Sequence, residues 1–210
     1  MAMAEEERLW GGTTLEARKA ERCDRLLEAG TELLGTGGAT AVTVRAVCRE
    51  SKLSERYFYE SFNDRDALLI AVHDAISERA RDAIAEAVMA ADPDPESLAR
   101  AGLEAFTFFL EEDRRRGRIL LSEPFANETL VRHGATTVPG FAAMLAGQIT
   151  ARFGEDGVDQ VDAQLTSVGL VGALTHLYLG WLNGTIDVPR QRLVDHGVAL
   201  ILSAGPTTSA

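Results

Sequence analysis

Cysteine is scarce in this chain. There are two in 210 residues, Cys23 and Cys48, with no CxxC pair and no disulfide framework. Both fall on apolar helix faces, where a free thiol acts as a small hydrophobe. The four histidines, His73, His133, His176 and His196, show no metal-ligand spacing, so no metal is expected. No nucleophile elbow, zinc-protease helix, phosphate loop or dinucleotide fingerprint is present, which leaves an enzyme unsupported and implies no cofactor. Strand alternation and internal repeats are absent. No apolar run reads as long enough to cross a bilayer and no signal-peptide pattern appears, so a cytoplasmic protein with no membrane contact is expected. Positive charge is also in deficit: 21 basic against 32 acidic residues, a net charge of −11. That balance gives no support to nucleic-acid binding and repels DNA from most of the surface.

What the chain does have is helical periodicity. The acidic segment 1–14 has little pattern and reads as a disordered arm. From Leu15 to Leu34 a stripe of Cys23, Leu26, Leu27, Gly30, Leu33 and Leu34 marks a first helix, ended by Gly35 and Gly37-Gly38. A long helix follows over 64–91, capped by Asp64 and stopped by Asp92-Pro-Asp-Pro95. Further helices are expected over 96–116, 119–122, 126–153, 158–183 and from Pro189 onward, with a loose tail over 204–210. The helix over 158–183 carries Gly169, Gly172 and Gly180. Each costs about 1 kcal/mol against alanine in a helix, so close approach of another helix is the reason to keep them. The fold class is all-α.

The stretch Thr43–Phe62, TVRAVCRESKLSERYFYESF, stands out. Val44, Val47 and Cys48 give a short helix one apolar face, with Thr43 at its N-cap. Lys52 and Leu53 form a turn. Ser54 opens a second short helix on which Phe58 and Phe62 point inward. Arg56, Tyr57 and Tyr59 are left outward, with little packing reason to be there. A helix-turn-helix that lays its second helix in the major groove accounts for them. The segment 43–66 is itself neutral, five cations against five carboxylates, so a DNA reader must gather its cations on one face.

From about Arg18 to Leu69 the chain resembles the DNA-binding domain of the TetR family of transcriptional repressors. The resemblance is carried by the apolar first helix ending at Gly37-Gly38, by Thr43-Val-Arg-Ala-Val47, by Leu53-Ser-Glu-Arg-Tyr-Phe-Tyr-Glu-Ser-Phe62 and by Asn63-Asp-Arg-Asp-Ala-Leu68. It departs from the family pattern at Lys52, where a turn glycine is usual, and at Arg56 and Tyr57, which replace small residues. Arg65 stands where lysine is usual.

The resemblance implies a three-helix domain over 15–64 joined to a helical ligand-binding and dimerisation domain over 65–203. For DNA, Thr43, Tyr59 and Arg65 are expected on phosphates, with Ser54 either helping or only capping. Arg45 is expected on a base or a phosphate, Arg56 and Tyr57 on bases, and Glu55 on a cytosine or in a cap. For an effector, the residues offered are Phe106, Phe109, Leu110, Phe125, Phe141, Met144, His176, Tyr178 and Trp181, any one of which is more often plain core. His176 has apolar neighbours on both sides. A homodimer interface is expected on Val168, Gly169, Gly172, Val194, Val198 and Ile201, with packing inside one chain as the alternative. The function implied is a ligand-responsive one-component repressor. It would bind double-stranded, near-palindromic operator DNA as a homodimer and be released by a small apolar effector. The alternative is a helical ligand-binding or interaction protein of the same fold without operator binding.

Overall fold

The structure, a computed structural model, describes residues 15–134 and 160–203, and among these residues there is no strand. The expected arm over 1–14, the tail over 204–210 and most of the helix expected over 126–153 lie outside the described residues. In chain order the elements are α1 (Leu15–Gly37), a 3-10 turn (Ala39–Ala41), α2 (Val44–Ser51), α3 (Glu55–Ser61) and α4 (Arg65–Ala90). They continue as α5 (Pro95–Glu112), α6 (Arg114–Gly117), a π turn (Arg118–Ser122) and α7 (Glu123–Ala126). Residues 128–134 are helical (α8), and α9 (Gln160–Leu182) and α10 (Arg190–Ser203) complete the chain. The chain divides into two compact units between Val72 and His73, within α4.

The first unit is built by short amphipathic helices around one apolar centre. Leu26 and Leu34 from α1, Val47 from α2, Phe58 from α3, and Leu68 and Leu69 from α4 are fully buried, with Phe62 beside them. Glycine has a specific task at Gly30: a Cβ there would lie 2.8 Å from Val72 Cγ2, so α1 and α4 approach too closely for any side chain. Helix α1 continues past Gly35 to Gly37, and the positive φ that glycine adopts freely comes only at Gly38, at φ 74°. Asp64 caps α4 as its position suggests, its carboxylate accepting from the Ala67 amide at 2.7 Å.

In the second unit α5 stops at Glu112, short of the expected end at 116. Asp113 breaks it by capping the next turn, its carboxylate accepting from the Arg115 amide at 3.0 Å and holding the Arg115 guanidinium. That contact with Arg115 keeps the Asp113 carboxyl below the usual carboxylate range. Pro124 does not end a helix as expected; it sits in the first turn of α7, where its missing amide costs nothing. Helices α5 and α10 pack closely at Gly197, where a Cβ would meet Leu103 Cδ1 at 2.8 Å.

Helix α9 corrects the reading of apolar runs. Val161–Leu182 is long and apolar enough to cross a membrane by length and composition. Its glycines and the polar His176 and Asp162 had masked the run as a sequence. Ala163, Ser167, Leu170 and Tyr178 form a buried side inside the unit. The opposite side, Val161, Leu165 and Val168, is exposed.

Candidate nucleic-acid interface

Helix α3 is a rod pinned from below. Phe58 is fully buried and packs against Phe62 at 5.8 Å and edge-on to Tyr59 at 5.4 Å between ring centroids. Pinning those two phenylalanines turns Arg56, Tyr57 and Tyr59 outward, as the periodicity predicts. The Arg56 side chain is 85% exposed, and Tyr57 and Tyr59 both reach solvent. Helix α2 supports α3 from the other side of the turn. There Lys52 adopts the left-handed conformation, φ 55° and ψ 38°, so the turn does need the backbone that a glycine gives freely. A guanidinium contact secures the same corner: Arg25 donates to the Ser51 carbonyl at 2.6 Å.

The expected DNA contacts fall into three groups. Arg45, Glu55, Arg56, Tyr57 and Tyr59 are exposed together on α2 and α3. Thr43 and Ser54 are exposed beside them, and they differ as caps. Thr43 accepts from the Ala46 amide at 3.1 Å, whereas the Ser54 hydroxyl makes no capping bond. Arg65 is placed differently. Its guanidinium donates to the carbonyls of Val42 at 2.6 Å and Ala39 at 2.5 Å, tying the turn before α2 to the start of α4. Two of its donors are thus committed to backbone before any phosphate arrives.

The cations of this face have local partners. Arg56 meets Glu60 at 3.1 Å, and Arg45, 91% exposed, lies 3.9 Å from Glu55. Exposed pairs of this kind are worth roughly 0–1 kcal/mol, so a phosphate can compete for either arginine. Sequence reasoning passed over Arg22. Its guanidinium sits 4.6 Å above the Tyr57 ring and 3.8 Å from Glu60, a tertiary contact from α1 to α3 with no signature in linear spacing.

The residues expected to take an effector sort into two clusters in the second unit. Tyr178 is buried at the centre of the first, edge-on to Phe106 at 5.1 Å and to Trp181 at 6.4 Å. Its hydroxyl is 2.6 Å from that of Thr107 and donates to the Leu103 carbonyl at 3.2 Å. Burial pushes the Tyr178 pKa up to about 12. Phe109 and Leu110 are buried, and the Arg116 guanidinium lies 4.3 Å from the centre of the Phe109 ring. In the second cluster Phe125 faces His176 at 6.0 Å between ring centroids. Both are exposed, which corrects the picture of His176 as a buried group; its Nδ1 donates to the Gly172 carbonyl at 2.9 Å. Phe141 and Met144 lie outside the described residues.

The residues expected at a dimer interface separate by helix. Val168 is 45% exposed, and a Cβ at Gly169 or Gly172 would meet nothing within 4 Å. No described residue packs against these two glycines of α9. Val194 and Val198 are the opposite case. Both are buried within the unit, because α10 turns that face onto α5, and they cannot also face another chain. Ile201 is half-buried.

Residues 26–72 match the family model described as bacterial regulatory proteins, tetR family. No curated protein matches the chain. Solved structures resemble it over most of its length. The fatty acid degradation regulator FadR of Bacillus halodurans is 17% identical, with a TM-score of 0.72 over 86% of this chain and 94% of its own. FadR of Bacillus subtilis, solved in complex with stearoyl-CoA, is 14% identical with a TM-score of 0.72 over 86% of this chain and 98% of its own. A TetR-like transcriptional regulator of Rhodococcus sp. RHA1 is 19% identical with a TM-score of 0.65 over 87% of this chain and 94% of its own. Residues 26–72 are thus similar to the N-terminal domain of the tetR family of bacterial regulatory proteins, and the chain shares its fold with solved transcriptional regulators.

Proposed function

We propose that this protein is a ligand-responsive repressor that binds a near-palindromic operator as a homodimer and leaves it when a small apolar effector binds. The observation that carries the reading is α3. Seven residues long, it is fixed by buried Phe58 and presents Arg56, Tyr57 and Tyr59 to solvent. A guanidinium suits guanine, and a tyrosine ring suits a thymine methyl with a hydroxyl beside it. Thr43, before α2, and Tyr59, on α3 itself, are the phosphate contacts, joined by Arg45 and, through its exposed hydroxyl, Ser54. The domain organisation behind this reading is a DNA-binding domain over 15–64 and an effector and dimerisation domain over 65–203.

Pairing through the exposed side of α9 places two α3 helices on one duplex. One short helix alone gives little affinity, and two half-sites read together supply the rest. The effector reading draws on the Tyr178 ring cluster and on the Bacillus subtilis FadR neighbour, whose ligand carries a long acyl chain. Release is a population shift, driven only by the effector's different affinities for the two states. The protein acts in the cytoplasm, where operator DNA is found.

One observation favours a second reading, a ligand-binding protein without operator binding. Arg45 and Arg56 already have carboxylate partners on the same face. Titration of the purified chain against the DNA upstream of its own gene and against random DNA, at two salt concentrations, separates the two. Selective binding that persists at the higher salt supports the repressor. Weak binding that disappears equally from both DNAs supports the second reading.

A further inference from the structure

We propose that His73, Asp74 and His133 form a site for one divalent transition-metal ion of the zinc class, joining α4 to α8. Along the sequence these residues have no ligand spacing; the fold brings them together. One ligand atom from each lies within 4.8 Å of the other two. An Asp74 carboxylate oxygen is 2.5 Å from His133 Nε2 and 3.8 Å from His73 Nδ1. The two imidazoles meet edge to face at 5.8 Å. In a tetrahedral zinc site with bonds of about 2.0–2.1 Å, ligand atoms sit roughly 3.4 Å apart. The two observed separations fall on either side of that value, so small side-chain rotations complete the geometry.

The second observation is one orphaned ring nitrogen. His73 is 3% exposed, and its Nδ1 is buried without a hydrogen-bond partner. A buried polar atom in that state calls for an occupant. Ser77, one turn further along the same face of α4, has a fully buried hydroxyl that is likewise unpartnered. Asp74 is half-exposed and gives the ion a way in from solvent.

Two imidazoles and one carboxylate select zinc, cobalt or nickel over magnesium or calcium, which take oxygen ligands. Three protein ligands leave a coordination position for water or for a donor atom of a bound molecule. The site is independent of operator binding.

The test uses the untagged full chain, stripped with chelator and titrated with Co2+, then Zn2+. The expected result is one Co2+ per chain with the visible bands of a four- or five-coordinate nitrogen and oxygen site, displaced by Zn2+ but not by Mg2+. His133→Ala and Asp74→Asn should each weaken uptake by at least about tenfold with helical circular dichroism unchanged. Both positions are partly exposed, so these variants carry the test even where His73→Gln fails to fold. No stoichiometric uptake overturns the proposal. So does uptake that survives in His133→Ala and Asp74→Asn, or a thiolate charge-transfer band placing the ion on Cys23 or Cys48.

Discussion

At the scale of the residue, two side chains hold conformations or protons against their ordinary preference, and each gives a measurement. Lys52 sits at φ 55°. An L-residue there costs about 1–2 kcal/mol, while glycine costs about 0.5–1 kcal/mol through the flexibility it adds to the unfolded chain. Lys52→Gly should therefore stabilise the chain by about 0.5–1 kcal/mol, seen as a higher thermal midpoint. An unchanged or lower midpoint would mean that the lysine side chain has a compensating contact. Tyr178 is the second case. Its folded-state pKa, about 12, lies above the ordinary tyrosine value of 10.0. The folded chain keeps that proton longer than the unfolded one, so the stability it contributes is complete below pH 10 or so and is lost as pH rises from there towards 12. Denaturant melts across that range should show the loss, and Tyr178→Phe should flatten it. An equally steep alkaline loss in the variant would place the titrating group elsewhere.

At the scale of the element, α3 is decided by an argument about magnitudes. The Arg56–Glu60 pair is exposed, so removing it costs the fold little. Arg56→Ala should leave the melting curve in place and weaken operator binding by about 1–3 kcal/mol, with specificity relaxed at one base pair. The same loss on every sequence, read by competition with single-base variants of the operator, would make Arg56 a phosphate contact. The helix itself was readable in advance. Phe58 and Phe62 lie four apart, so burying both fixes which residues turn outward. Arg22 was not readable, because its place above Tyr57 comes from how α1 crosses α3. Nor was the break at Asp113, where the aspartate caps the following turn and so ends α5 before the arginine run.

At the scale of the whole molecule, the open question is what covers α9. Val161, Leu165 and Val168 make an exposed apolar row, and among the described residues nothing lies within 4 Å of a Cβ at Gly169 or Gly172. A Cβ at Gly172 meets no described atom within 4 Å, and Gly172→Leu should raise helix propensity. If the row is the dimer interface, the variant should show a lower mass by light scattering at matched concentration. A mass equal to that of the parent chain would exclude close contact there. The sequence could list Gly169, Gly172, Val194 and Val198 as one interface set because all four look alike in a helical pattern. Packing separated them: α10 spends Val194 and Val198 on α5, and α9 leaves its glycines open.

The all-α class, the helix-turn-helix and the outward residues of α3 follow from the sequence alone, because each rests on local periodicity, a cap or a proline that acts within a turn or two. The partners of Arg22 and Arg65, the two ring clusters, the free side of α9 and the meeting of His73, Asp74 and His133 were decided only by tertiary structure. Those relations join residues far apart in the chain, and no local pattern records which helix face will meet which. His133 shows the difference most clearly: as one of four scattered histidines it signals nothing, yet in the fold its ring lies against the Asp74 carboxylate, 59 residues away in sequence.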